Sequence, residues 1–205
     1  PVVANAFGSA VSGDIVRIVG NGGLDNDVTT EADNLSYQVG TAETGGAALA
    51  DGRSMNVPKG VVTMIDAGAI FKLRNSYINV GSSTTQIDRS GGALQVLGAP
   101  RHVQLSPFTD PVITTTLVGD DPGQGPDGYA DGSVIFTSMR DRAVDANASG
   151  FSPEAAAGNW GGLIYRRDVD RAEGRSDLED DGIFLQTVNH AEIRNGGGSN
   201  EPVSY

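Results

Sequence analysis

The chain contains no cysteine and only two histidines. The first absence excludes disulfide staples, a thiolate metal site and a thiol nucleophile, and the second leaves little for a histidine-based zinc centre. Lysine is as scarce, with Lys59 and Lys72 the whole supply. Basic residues total 14 against 26 acidic ones, a formal charge of -12, so the field of the chain repels phosphate backbones and anionic lipid heads. Nucleic acid and membrane surfaces are therefore disfavoured partners. No apolar run approaches the roughly 18 residues of a membrane span. The opening Pro1-Val2-Val3 carries neither an initiator methionine nor a signal-peptide pattern, as a processed or excised fragment would.

Glycine is plentiful instead, 29 of 205 residues, about twice the usual share of roughly 7%. It punctuates short apolar runs rather than keeping a collagen period. These runs include Ile15 to Val19, Leu35 to Val39, Val61 to Ile65, Ala69 to Leu73, Tyr77 to Val80 and Ala93 to Leu97. Further ones are Val103 to Leu105, Val134 to Phe136, Leu163 to Tyr165, Ile183 to Leu185 and Ala191 to Ile193. Each is short, β-branched or aromatic, and bounded by Gly, Asn, Asp, Ser or Pro, which is the strand signature. Helical periodicity is nearly missing. One helical turn is expected at Ser152-Pro153-Glu154-Ala155-Ala156-Ala157-Gly158, with serine as N-cap, proline at the first helical position and glycine beyond the end.

Several runs come in twos and threes across a sharp Gly, Asn or Asp corner, as at Asp66-Ala67-Gly68 between Val61 and Leu73, followed by Tyr77 to Val80. That pattern suits a coil of three short strands per rung, where each rung buries the inward side chains of the next. A sandwich of hairpins is the alternative, carried by Asp51-Gly52, Asp127-Gly128, Asp131-Gly132 and Asp181-Gly182. Polar stretches at 21–34, 107–132 and 140–159 read as loops leaving the coil, where function concentrates. Residues 1–50 are expected to be N-terminal strands and a candidate cap, and residues 51–205 rungs with insertions near 107–132 and 140–159. Val62, Met64, Ile70, Leu94, Val96, Phe136, Leu163 and Ile193 are the expected core.

Four segments carry a resemblance: "DGRSMNVPKGVVTMIDAGAIFKLRNSYINVGSS" at 51–83, "DRSGGALQVLG" at 88–98, "GSVIFTSMRD" at 132–141 and "GNWGGLIYRRD" at 158–168. With "AEIRNGGG" at 191–198, they resemble a right-handed parallel β-helix, or pectin-lyase-like, module of very large bacterial secreted and cell-surface proteins. The resemblance implies an all-β solenoid with loop insertions and about one short helical turn. Its specificity is for fold, because this superfold hosts lyases, hydrolases, adhesins and plain spacers alike.

A glycosidase on such a fold needs carboxylates converging on one groove. Asp120-Asp121 and Glu179-Asp180-Asp181 are adjacent in sequence, and neighbours on a strand point to opposite faces. The Asn-Thr-Asp, Gly-His-Gly and Arg-Ile-Lys motifs of polygalacturonase-like enzymes do not occur. A lyase would need a calcium cluster beside a basic residue, but Lys59 and Lys72 sit in or next to strand signals, and Lys72 is expected to reach solvent. No catalytic residue is expected. Calcium without catalysis is the candidate cofactor, through Asp25 and Asp27 in one acidic loop and Asp120, Asp121, Asp127 and Asp131 in another. Solvated acidic loops explain the same residues.

In Gly158-Asn159-Trp160-Gly161-Gly162-Leu163, Trp160 is expected to seal a corner of the core, the sharper alternative being an exposed sugar-stacking platform with Tyr129 and Phe151. The reading is therefore a non-enzymatic β-solenoid scaffold or adhesin-like element, extracellular or at the cell surface. Its expected partners are further rungs of the parent chain or end-to-end copies of itself, with surface glycans as a further candidate. The alternatives are a carbohydrate-active β-helix enzyme, lyase or glycoside hydrolase, and a glycan-binding module.

Overall fold

A computed structural model describes residues 3–20, 35–40, 54–104, 112–117, 129–130, 132–141, 155–175 and 186–198. Its strands fall into four sheets, three of them parallel. The first parallel sheet holds β1 (Ile15–Ile18), β4 (Val62–Asp66), β7 (Ala93–Leu97) and β13 (Thr187–Asn189), in that order. The second holds β2 (Tyr37–Gly40), β5 (Ile70–Arg74), β11 (Val134–Ser138) and β14 (Ala191–Ile193). The third holds β3 (Met55–Asn56), β6 (Tyr77–Gly81) and β12 (Gly162–Arg166). Read in chain order, the strands visit the sheets in rotation. β1, β2 and β3 supply one strand to each parallel sheet in turn, β4, β5 and β6 do so next, β7, β11 and β12 third, and β13 and β14 begin a fourth such round, each round being one circuit of the sheets.

Register sets like on like. Ile18 pairs with Ile65, Ile65 with Val96, and Val96 with Val188. Tyr37 pairs with Phe71, Phe71 with Phe136, and Phe136 with Ile193. The rings of this second row stack with centroids 5.3 Å and 5.2 Å apart and planes tilted by 25° and 24°. Each such contact contributes about 0.5–1.5 kcal/mol beyond its buried area. In the third sheet Met55 pairs with Ile78 and Ile78 with Leu163. Apart from Val188 and Ile193, which are exposed, and Leu163, which packs against the rest, the members of these rows belong to one buried cluster.

The corners are hydrogen-bonded from circuit to circuit as well. The Gly13 N–H donates to the Gly60 carbonyl and the Gly60 N–H to that of Ser90, and the Asn75 N–H donates to Asn159 and the Asn159 N–H to Asn195. Glycine is obligatory at the end of β6. Gly81 has φ +85°, and a Cβ there would run into the Arg166 carbonyl oxygen of β12.

Several expectations change. In β4 the inward positions are Thr63 and Ile65, both fully buried, so Val62 and Met64 lie on the other face and are half-buried. The run is apolar on both faces apart from Thr63, and a one-residue shift of parity exchanges the faces. Ile70 is half-buried for the same reason, Phe71 and Leu73 being the inward pair. Ile193 is 54% exposed, the last member of its row among the described residues. Leu94, Val96 and Phe136 are buried as expected, and Leu163 packs against the core.

The helices also lie elsewhere. Ala155 to Ala157 are not helical: the Asn159 side-chain oxygen takes the Ala156 N–H at 3.0 Å, closing a turn in place of a helix. Ser152 to Glu154 lie outside the described residues. Among the described residues the helices are α1 (Val3–Ser9) and α2 (Asp168–Ala172). The insertion expected as loop near 107–132 includes β9 (Val112–Leu117) and β10 (Tyr129–Ala130), which flank β8 (Arg101–Gln104) in an antiparallel sheet. Val112-Ile113-Thr114-Thr115-Thr116-Leu117 is almost wholly β-branched, which favours a strand despite its polar surroundings.

Candidate functional site

Two polar constellations stand out, one at the corner after the second sheet and one behind the third. The corner is built from asparagine because the chain must turn through the left-handed region there, which asparagine tolerates. Asn75 and Asn195 have φ +49° and +57°. Asn159 lies between them, and its side-chain oxygen accepts from Ser138 Oγ at 2.7 Å. Beside it Trp160 is fully buried, its indole N–H donates to the Arg194 carbonyl at 2.7 Å, and a Cβ on Gly196 would sit 3.5 Å from its ring. Trp160 therefore seals the corner and cannot serve as a sugar-stacking platform. Phe151 lies outside the described residues, and Tyr129 stands in β10.

On the outer side of the same corner, Thr137 Oγ1 lies 2.6 Å from Asp141 Oδ2 and 3.0 Å from the Asn195 side-chain amide. A hydroxyl has one proton, and the shorter contact to the Asp141 carboxylate takes it, with Asn195 Oδ1 at 3.0 Å as the more distant neighbour. Arg194 is 3.8 Å from Asp141 and also contacts Glu192. Lys72, in register with Thr137, is 3% exposed, which corrects the expectation that it reaches solvent.

The second constellation joins α2 to the loop after β6. Asp170 accepts from the Ser82 N–H at 3.1 Å and from the Ser82 hydroxyl at 2.5 Å. That hydroxyl in turn accepts from the Arg89 N–H at 2.8 Å. Arg175 Nη1 lies 3.3 Å from Asp170, and its guanidinium donates to the carbonyls of Ile87 and Thr85, both at 2.7 Å. Ser82 is fully buried with its proton committed to a carboxylate, so the arrangement works as a clamp and offers no accessible nucleophile. Acidic residues in the first turn of α2 and Arg171 in the last suit its dipole. The clamp was unread in the sequence, although Asp168, Asp170 and Arg171 in that order were a legible helix signal.

Asp88 and Tyr37 are among the ionisable groups shifted by their surroundings. Hydrogen bonds from Lys59 and from Ser90 hold the Asp88 carboxyl well below the usual aspartate range. Burial, with the Asp66 carboxylate adding to it, pushes Tyr37 up to about 12 from 10. The folded state therefore keeps Tyr37 neutral where the unfolded chain ionises, so its stability is whole below pH 10 and falls as pH rises towards 12. A loss of about 2–3 kcal/mol is expected across that window. Urea melts at stepped pH check it. The Tyr37→Phe variant should start lower, having lost the bond from the hydroxyl to the Val19 carbonyl, but should lack this alkaline fall.

The calcium candidates Asp25, Asp27, Asp120, Asp121, Asp127 and Asp131 all lie outside the described residues. Among the described residues, no three His, Cys, Asp or Glu side chains cluster as metal ligands, and no helix is long and apolar enough to cross a membrane. No family model, no curated protein and no solved structure matches the chain.

Proposed function

We propose that the chain is a stretch of right-handed parallel β-helix serving as a non-enzymatic scaffold or adhesin-like element of a secreted or cell-surface protein. The observation that carries the reading is the rotation of successive strands through the same three parallel sheets, with corners hydrogen-bonded between circuits. The right hand is the one that crossover connections between parallel strands take. Such an object is stiff along its axis and can be lengthened circuit by circuit, which suits a spacer. Its polar groups support the same reading, since the Ser82, Asp170 and Arg175 set and the asparagine corner are spent on joining circuits. The acidic surface suits solubility outside the cell.

The test is turnover. Incubation with pectin or alginate is expected to release no shortened products, and cleavage abolished by Asp120→Ala or Asp180→Ala would replace the scaffold with a carbohydrate-active enzyme. Calcium in the acidic loops is part of the proposal. Binding to the folded form alone raises the melting temperature by mass action, so the melt should rise with added calcium and fall back with chelator. An unchanged melt at concentrations of about a millimolar would return Asp25, Asp27, Asp120, Asp121, Asp127 and Asp131 to plain solvated surface.

A further inference from the structure

The rows of inward side chains do not finish alike at the two ends. At the first circuit α1 lies against β1 and Phe7 packs on the core, while Ile18 and Tyr37, the first members of their rows, are buried. At the last circuit the same rows end on Val188 and Ile193, 48% and 54% exposed. β13 and β14 are also the outermost strands of their sheets, so each turns one backbone edge away from its only strand neighbour among the described residues. Among the described residues, then, an exposed apolar row ends beside a strand edge with no strand partner, a surface suited to pairing.

We propose that this end face binds a second copy of the chain, like face to like face, about a two-fold axis through Ile193. The proposal rests on the stacked-circuit reading above. Head-to-tail addition is opposed by α1, which occupies the end onto which the copy would have to stack. A two-fold axis instead lays β14 antiparallel to its counterpart, and the sequence Ala191-Glu192-Ile193-Arg194 is self-complementary in that register. Residues directly opposite in an antiparallel pair share a face. Ile193 then meets Ile193 of the partner subunit, and the row of Tyr37, Phe71 and Phe136 runs on through both copies. On the outer face Glu192 meets Arg194 of the partner subunit and Arg194 meets Glu192 of the partner subunit. These two side chains already touch within one chain, so the dimer joins two ion pairs into an alternating ring of four charges.

Sedimentation velocity over a concentration series is the test. The wild-type chain should pass from one chain mass to two, and Ile193→Lys should weaken the dimer by at least about tenfold, since it sets like charges opposite each other at the axis. Glu192→Arg and Arg194→Glu should each weaken it alone. Mixing the two variants should restore it, because every mismatched charge in one then faces its opposite in the other. A single chain mass at every concentration, a dimer indifferent to these changes, or a mixture no tighter than its parts would overturn the interface. Circular dichroism and Trp160 fluorescence confirm that each variant folds. A folded, monomeric wild type rejects the interface alone, whereas absent amide protection along the parallel ladders rejects the reading beneath it.

Discussion

Trp160→Ala is expected to lower the unfolding free energy by about 3–5 kcal/mol, the range for deleting a large buried aromatic. The indole is wholly buried among the core rows, so its removal leaves a cavity where the second sheet hands the chain to the third. Its N–H is the donor to the Arg194 carbonyl at 2.7 Å, and that group loses its partner too. Trp160→Phe keeps most of the volume and loses the bond, so it should fall between wild type and alanine. Urea melts followed by circular dichroism give the comparison, and a loss below about 1 kcal/mol would mean that the corner is not packed as described. Because Asn159 links Asn75 to Asn195 beside this ring, protection of the Asn75 and Asn159 amides from exchange should fall with it.

Asp170→Ala should destabilise the chain by a similar amount, about 3–5 kcal/mol, for a different reason. It removes the acceptor for the Ser82 N–H and hydroxyl and the nearer of the two carboxylates beside the Arg175 guanidinium, at 3.3 Å, leaving Asp88 at 4.0 Å. Buried donors left without their acceptor cost more than their bonds contribute, and the guanidinium is left with only its more distant carboxylate. The diagnostic is therefore the double variant: Asp170→Ala with Arg175→Met should lose less than the sum of the two single losses. Additive losses in denaturant would show that the two residues act independently and that α2 is not held by this clamp.

How much of this was legible in the sequence follows from what each strand had to bury. Runs such as Ala93 to Leu97 and Val134 to Phe136 became β7 and β11 because β-branched and aliphatic residues between glycines have few other uses. Met55–Asn56 and Thr187–Asn189 escaped notice since β3 and β13 are too short and too polar to signal themselves; neighbouring strands hold them in place. Parity in β4 was misread because Val62, Met64 and Ile65 are all apolar, and the polar residue among them, Thr63, faces inward. Only the register with β7, where Thr63 meets Leu94, decides the faces.

The polar sites divide in the same way. Trp160 as the seal of a glycine-framed corner was readable, because a lone tryptophan between tight turns has few other places to go. The partnership of Ser82 with Asp170 was not, since 88 residues separate them and only the stacking of β6 on β12 brings α2 over the loop. Gln186 shows the same principle in miniature. Its side-chain amide takes the Leu94 N–H at 2.8 Å and donates to the Gly92 carbonyl at 3.1 Å, doing for β7 what a strand backbone would do. No local pattern announces a side chain that substitutes for a strand.

The central claim, that successive circuits stack in parallel, is tested most directly by interstrand nuclear Overhauser contacts on the labelled chain. The account predicts backbone contacts linking Ile18 to Ile65, Ile65 to Val96 and Val96 to Val188, and likewise Tyr37 to Phe71, Phe71 to Phe136 and Phe136 to Ile193. Among the described residues, close Cα approaches typical of antiparallel pairs within one chain should be confined to β8 with β9 and β10. Antiparallel contacts between strands adjacent in sequence, such as β4 with β5 or β5 with β6, would make the molecule a hairpin sandwich and contradict the coil.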